Sequence, residues 1–262
     1  MGDTTIEWTN KTWNPIRGCS RVSEGCRNCY AERVAARFGG PGLPYEGLTT
    51  KDGRWNGKVV VVEEHLADPL RWKKPRRIFV NSMSDLFHEN VSDETIDQIF
   101  SVMVQCPQHI FQVLTKRPER MQSYMESCQM GADDVGGRFP WDNVWLGVSV
   151  EDQKSADERI PHLLRTPAAV RWLSVEPMLG PVDLAKAGWN FHDFDPEFDV
   201  QIQWVVCGGE SGAGARPMHP AWARSLRDQC VAAGTPFFMK QMDKKQPIPE
   251  DLLIREYPHA AR

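Results

Sequence analysis

Long apolar runs are absent from this 262-residue sequence. No run approaches the ~20 residues that a helix needs to cross a bilayer, so a membrane-spanning protein is not expected. The amino-terminal residues MGDTTIEWTN lack a basic segment followed by an apolar one, which argues against export. We therefore expect a protein of the reducing cytoplasm, with no membrane partner.

An excess of positive charge is absent as well. Lys and Arg number 31 against 35 Asp and Glu, and the formal net charge is −4. This balance excludes a strongly basic nucleic-acid-binding protein, although it leaves room for a local basic groove. Charged residues make up 25% and hydrophobic residues 41% of the chain, which is typical of a folded globular protein rather than a disordered one.

The seven cysteines are an odd number and are unevenly spaced. Cys19, Cys26 and Cys29 fall within one short stretch, whereas the other four are scattered through apolar or helical-looking sequence. This distribution argues against a disulfide framework. It favours one metal-binding loop together with buried thiols.

Short, continuous apolar runs rich in β-branched residues recur along the chain. They predict strands at Arg77–Asn81, Ile110–Leu114, Val144–Val148, Val170–Leu173, Trp204–Cys207 and Pro236–Met239. Continuous rather than alternating apolar character is typical of parallel strands, which are buried on both faces. A shorter first strand is expected between Trp8 and Trp13.

Segments with helical periodicity and helix-start signals lie between the strands. They begin at Ser92, at Pro118, near Ala156 and at Pro220, and Gly234 is suited to end the last of them. This alternation of strand and helix predicts a parallel α/β sheet, closed into a barrel or doubly wound.

Polar and charged side chains follow every one of these predicted strands. In a (β/α) barrel the carboxyl ends of all strands meet at one rim, whereas a doubly wound sheet concentrates such groups at one switch point. We therefore predict an α/β fold with a complete or partial TIM-type barrel of parallel strands. It should form one domain over residues 1–262, with long loops at about 39–58 and 183–201.

The clustered cysteines follow the pattern C-x6-C-x2-C. Thiolates bind soft or borderline metals, and three on one loop can hold three irons of a cubane cluster or three corners of a zinc tetrahedron. A zinc site needs a fourth ligand. The nearest candidates are His65 and His88, which are better explained as surface or rim histidines.

Such a three-cysteine loop after the first strand of a barrel, with the aromatic Tyr30 beside the last cysteine, resembles the radical S-adenosylmethionine (SAM) superfamily. The usual spacing there is C-x3-C-x2-C, so the first gap is longer in this chain. Collinear segments over almost the whole chain resemble the phage-type three-cysteine-motif family, among them GCRNCYAER, FVNSMSDLFHE, WLSVEPMLGPVDL and VVCGGESGAGARPM. Genes of that family often neighbour one for a three-Cys-motif partner protein, and a more remote resemblance is to spore photoproduct lyase.

The resemblance implies a [4Fe–4S] cluster on Cys19, Cys26 and Cys29, with SAM chelating the fourth iron. By position it also implies residues that bind the cofactor at the strand ends. These are Asn81, Ser82, Ser84, Asp85, Lys116, Arg117, Ser149, Glu151, Gly208 and Gly209.

Three further residues are candidates for catalysis. Glu176 and Glu210 suit proton transfer or substrate binding, and Lys240 belongs to a basic group at the rim. The alternative for that basic group, which includes Arg216, is a network of salt bridges with the acidic residues at the strand ends. Paired carboxylates also suit a glycoside hydrolase, but that function leaves the clustered cysteines unexplained.

The expected function is that of a radical SAM-like iron–sulfur enzyme that cleaves SAM to act on a substrate. Analogy with photoproduct lyase indicates a nucleic-acid base, and hence DNA repair or modification. The alternative is a non-catalytic zinc or iron–sulfur protein that binds nucleic acid or its partner protein.

Overall fold

The computed structural model describes residues 4–135, 138–189, 201–212 and 214–258. The chain divides into two compact units, Met1–Thr115 and Lys116–Arg262, called here the first and the second unit. Most of the loop expected at 183–201 lies outside the described residues, and the single domain stays a prediction. No helix in the described ranges has the length and apolar character needed to cross a membrane.

Parallel strands form the sheet of the first unit. The strands of this unit are β1 (Lys11–Trp13), β2 (Ile16–Arg17), β3 (Val60–Val61), β4 (Arg77–Val80) and β5 (Ile110–Thr115), of which β1, β4 and β5 belong to the parallel sheet. β4 lies between β1 and β5 and pairs with both in parallel, whereas β2 pairs antiparallel with β3. Trp13 lies within β1 rather than beside it, because it is in register with Val80 of β4.

Three α-helices of the first unit are α1 (Tyr30–Arg37), α2 (Glu63–Leu66) and α3 (Asp93–Val104). The Ser92 hydroxyl accepts a hydrogen bond from the Thr95 N–H at the start of α3, which confirms the expected start. The buried residues of α3 recur with the helical period, and they are Ile96, Ile99, Phe100 and Met103. This face explains why the segment between β4 and β5 folds as a helix.

The second unit also has a parallel sheet. Its strands are β6 (Val144–Val150), β7 (Val170–Val175), β8 (Trp204–Gly208) and β9 (Phe237–Gln241), and they are adjacent in this order. Every residue of β6, β7 and β8 is buried, as continuous apolar runs predict.

The helices of the second unit are α4 (Pro118–Val135), α5 (Gln153–Arg165) and α6 (Pro220–Ala232). α5 begins before the expected start near Ala156, because Asp152 caps it. The Asp152 carboxylate accepts from the Ser155 N–H at 2.9 Å, and the Ser155 hydroxyl accepts from the Asp152 N–H at 3.0 Å. α6 ends before Gly234, whose φ of 64° suits the glycine expected there.

The predicted α/β class with parallel strands is confirmed in each unit. All six strands expected from apolar runs are present, and β6, β7 and β9 continue two residues further than expected. β4 ends at Val80 rather than Asn81, because Asn81 has a left-handed backbone with φ of 58° that interrupts a strand. Parallel strands with intervening helices match a partial (β/α) barrel, and a complete barrel stays a prediction.

Large aromatic side chains cover one face of the second unit's sheet, near the amino ends of the strands. The Trp204 ring centroid lies 6.0 Å from that of Trp145, 5.4 Å from that of Trp172 and 6.2 Å from that of Phe238. Gly147 makes room for this cluster, since a Cβ there would stand 2.6 Å from the Trp172 indole. Because every second side chain of a strand lies on the same face, polar residues an even number of positions farther along these strands project from the face that carries the aromatic rings.

The contact at Gly147 predicts a sensitive position. Gly147→Ala should lower the free energy of unfolding by roughly 1–3 kcal/mol, the usual cost of overpacking a filled core. Gly131→Ala on α4 is the control, because a Cβ there meets nothing within 4 Å and alanine favours a helix. Urea unfolding measures both variants, and a Gly147→Ala protein as stable as the control would contradict this packing.

Candidate functional site

The three clustered cysteines lie on one loop of the first unit, and each is half-buried and outside any disulfide. The backbone folds back through a short 3-10 turn, Glu24–Cys26, and α1 begins directly after Cys29. The Cys26 N–H donates to the Ser23 carbonyl at 3.0 Å, and the Cys29 N–H donates to the Cys26 carbonyl at 3.3 Å. The loop therefore has a defined path between β2 and α1.

Gly18 fixes the start of this loop. Its φ is 96°, and a Cβ there would stand 2.1 Å from the Lys58 carbonyl oxygen. Gly18 also forms an isolated parallel β-bridge with Ser84. The carbonyl of Cys19 accepts a hydrogen bond from the Gly57 N–H at 3.2 Å. No residue other than glycine fits this close backbone approach.

Packing joins the two ends of the cysteine loop. Cys19 and Cys29 both contact a buried cluster made of Ala31, Ala35, Leu48, Trp55 and Met83. Burial raises the pKa of the Cys29 thiol, and the backbone N–H groups at the start of α1 partly oppose this increase. Among the described residues, no three or more His, Cys, Asp or Glu side chains lie close enough together to hold a metal ion as they stand.

Two charged residues beside the thiols were missed in the sequence. The buried Glu32 carboxylate accepts from Arg21 Nε at 3.0 Å, from a second Arg21 nitrogen, and from the Trp55 N–H at 2.7 Å. Glu32 occupies the buried side of α1 together with the apolar Ala31 and Ala35. A carboxylate on an otherwise apolar helix face is the signal that would have identified it.

His88 is not a surface residue, which corrects the surface alternative of the sequence expectation, whereas a place at the rim stays a prediction. Its side chain is fully buried, and its Nδ1 accepts from the Asn90 N–H at 3.1 Å. The proton therefore sits on Nε2, which donates to the Ser20 hydroxyl at 3.0 Å, and Ser20 in turn donates to Glu89 at 2.9 Å. His88 thus ties the loop to the segment after β4 and has no ring nitrogen left for a metal.

His65 is partly buried and engaged as well. Its Nδ1 lies 3.1 Å from Asp68, and its carbonyl accepts from the Trp13 indole N–H at 2.7 Å. Within the described ranges, neither histidine belongs to a group of three or more metal-binding side chains.

The predicted cofactor residues of the first unit lie after β4. The Ser82 hydroxyl donates to Asn14 at 3.1 Å, and the Ser84 hydroxyl donates to the Ile16 carbonyl at 3.1 Å. Tyr30, at the start of α1, donates its hydroxyl to the Ser82 carbonyl at 2.7 Å, so this segment adjoins the cysteine loop. Asn14 was missed in the sequence.

Asn81 and Asp85 are the two buried members of this segment. Asn81 Oδ1 accepts from the Ile16 N–H at 3.4 Å, and its Nδ2 has no hydrogen-bond partner among the described residues. The Asp85 carboxylate accepts from the Thr115 hydroxyl at 2.7 Å and from the Phe87 N–H at 3.0 Å. One donor and one acceptor are thus held rigidly at the carboxyl end of β4.

In the second unit, Glu151 is 1% exposed and lies between two cations. Lys116 bonds to it directly, and Arg159 Nη1 lies 3.1 Å from its carboxylate and 2.6 Å from the Ser149 carbonyl. Arg159 was missed, because it faces Glu151 only once α5 has formed. Arg117, also predicted at this strand end, is half-buried at the start of α4.

Glu210 forms the second buried pair. Its carboxylate accepts from Arg216 through the backbone N–H at 2.8 Å and the guanidinium at 2.7 Å. Next to it, Gly209 lies against the chain after β9, where a Cβ would stand 2.4 Å from the Asp243 nitrogen.

Glu176 and Lys240 form the third and most exposed pair. Lys240 Nζ lies 2.5 Å from the Glu176 carboxylate, and the two side chains are 19% and 18% exposed. Gly208 leaves space for this carboxylate, since a Cβ there would stand 3.3 Å from it. The salt-bridge alternative for the basic rim is therefore confirmed for Lys116, Arg216 and Lys240.

The Gly18 contact predicts loss of the loop on substitution. Gly18→Ala should expose the three thiols, because the new Cβ overlaps the Lys58 carbonyl and strains a positive φ. Gly42→Ala has a similar φ of 72° but meets nothing within 4 Å, so it controls for backbone strain alone. The rate of thiol alkylation measures both variants, and equal rates would contradict the role of the close approach.

Glu151 supports a prediction about stability. Glu151→Gln leaves Lys116 and Arg159 without their counter-charge, so the free energy of unfolding should fall by about 3–5 kcal/mol. Glu158→Gln is the matched control, because that side chain is 58% exposed and pairs with Lys154 only at 3.9 Å. The control should lose less than about 1 kcal/mol, and equal losses in chemical unfolding would refute a buried ion network.

Comparison with known proteins gives one family. A family model described as "Protein of unknown function (DUF5131)" matches residues 3–251. The matched range includes the cysteine loop and all three ion pairs. Neither the curated proteins nor the solved structures yield a significant match.

Proposed function

The chain belongs to the DUF5131 family of proteins of unknown function. We propose that it is a radical SAM-like iron–sulfur enzyme. Its [4Fe–4S] cluster would be held by Cys19, Cys26 and Cys29. The observation that carries this proposal is the position of Cys19, Cys26 and Cys29 on one glycine-bounded loop that ends at a helix start, with none of the three in a disulfide.

The donor set fits an iron–sulfur cluster better than a structural zinc ion. Three thiolates are soft ligands and leave one metal position open, whereas zinc in a structural site has four protein ligands. Of the two nearest histidines, His88 has both ring nitrogens hydrogen-bonded, one to Ser20 and one to Asn90. When bound, the cluster supplies the electron with which SAM is cleaved.

In the first unit, we assign the segment after β4 to the amino-acid part of SAM. Asp85 is held by Thr115 and the Phe87 N–H, so its carboxylate is fixed where it can accept a hydrogen bond from an ammonium group. Asn81 Nδ2 is a buried donor that needs an acceptor, and a carboxylate or ribose oxygen would supply one. Ser82 and Ser84 support this segment through their own hydrogen bonds.

In the second unit, the exposure of the carboxylate distinguishes the three ion pairs. The side chains of Glu151 and Glu210 are 1% and 5% exposed, whereas that of Glu176 is 19% exposed. We therefore assign contact with a substrate and proton transfer to Glu176 and Lys240. Glu210 holds the segment around Arg216 and so acts as a positioning residue.

The substrate proposed is a nucleic-acid base, which is supported by the family resemblance alone. A three-Cys-motif partner protein and a cytoplasmic location belong to the same proposal. The chain's own contribution is then to bind and orient the cofactor beside α1 and to hold a proton between Glu176 and Lys240.

Anaerobic purification and reconstitution with iron and sulfide test the proposed cluster. The protein should become brown, with broad visible absorbance that bleaches on reduction. Cys26→Ala should lose this chromophore because one iron loses its thiolate, whereas Cys230→Ala should keep it because Cys230 is buried in α6. A colourless protein that carries one zinc and does not bind SAM would overturn the proposal. Equal loss of the chromophore in both variants would refute the assignment of the cluster to this loop.

A further inference from the structure

The six residues between Cys19 and Cys26 form the first gap of the cysteine loop, and one of their side chains contacts both the segment between Cys26 and Cys29 and the helix α1. Arg21 lies in that gap, and its guanidinium bonds to Glu32 of α1 through two nitrogens. One of these nitrogens also donates to the Arg27 carbonyl at 3.3 Å, between the second and third cysteines. A single planar group therefore links the gap, the turn and the helix.

Glu32 anchors this link from the other side. Its side chain is 5% exposed, and besides Arg21 it accepts from the Trp55 N–H at 2.7 Å. A carboxylate this deeply buried is stable only with a cation and hydrogen-bond donors around it. The fork of an arginine matches both carboxylate oxygens, which a lysine would not do.

Arg21 also bears on the thiols electrostatically. Its hydrogen bond to the Arg27 carbonyl holds the guanidinium against the backbone between Cys26 and Cys29. Three thiolates on one loop repel each other, and a fixed positive charge beside two of them offsets that repulsion. The side chain is 32% exposed, so it remains partly open to solvent.

We propose that Arg21 is a positioning residue, which holds Cys26 and Cys29 in place for metal binding and favours the reduced state of a bound cluster. This inference rests on the proposed function for the cluster, but its first part concerns any thiolate-binding metal. It also gives the longer C-x6-C gap a role, because the gap supplies the arginine and the turn that returns the chain to α1.

The first test titrates the metal-free full-length protein with Cd²⁺, and the thiolate-to-metal absorption band measures how much Cd²⁺ is bound. Arg21→Gln should weaken Cd²⁺ binding by about 10–100-fold, the usual effect of losing a group that orients metal ligands. Arg37→Gln is the matched control and should keep the wild-type affinity, because Arg37 is an exposed arginine at the end of α1 whose guanidinium lies over the Phe38 ring. Equal Cd²⁺ affinity in wild type and Arg21→Gln would overturn the proposal, as would a wild type that does not bind Cd²⁺.

The second test measures the reduction potential of the reconstituted cluster. Arg21→Gln should shift the potential to a more negative value, because the reduced cluster loses a nearby positive charge. Arg21→Lys keeps the charge, so its potential should stay close to that of the wild type. A role limited to loop structure would give both variants the wild-type potential. Arg21→Lys also keeps the proposal testable if Arg21→Gln fails to fold. A wild-type protein that binds Cd²⁺ through the loop but takes up no cluster would refute the proposed function and leave the positioning role standing.

Discussion

A carboxylate that leaves water must gain a cation or several N–H donors, and this requirement organises both units. Glu32 meets it with Arg21 and a backbone N–H, and through them it connects the cysteine loop to the long segment before β3. Glu151 meets it with Lys116 and Arg159, which joins the end of β6 to the segment before α4 and to the middle of α5. Because an unpaired buried charge is so unfavourable, these contacts fix how the loops at the strand ends can be arranged.

Apolar periodicity carries most of the information that predicts the fold. The strands β5 to β9 and the start of α3 follow from local pattern, since a continuous apolar run or a capping serine acts within a few residues. Asn81 shows the limit of this information, because its left-handed backbone follows from contacts with the segment after β1 rather than from its neighbours in sequence. Gly147 shows the same limit, since only the Trp172 ring of the adjacent strand explains it.

The candidate site was predictable in its residue types and less so in its pairings. Cysteine spacing identifies the metal loop, and acidic residues after strands identify Glu176 and Glu210. The partners Arg159 and Arg21 were not predictable, because each meets its carboxylate only after a helix or turn has brought the two together. Of the remaining cysteines, Cys106, Cys207 and Cys230 are buried, as expected for packing thiols, whereas Cys128 is half-buried like the cysteines of the loop.

The long segment before β3 has its own architecture. It has neither an α-helix nor a named strand, yet its backbone is held at Tyr45 by Phe38, at Trp55 by Glu32 and at Gly57 by Cys19. Between these anchors the turns at residues 40–44 and 50–54 are largely solvent-exposed. Insertions and deletions should therefore be tolerated at these turns, whereas changes at Leu48 or Trp55 would disturb the buried cluster against which Cys19 and Cys29 pack.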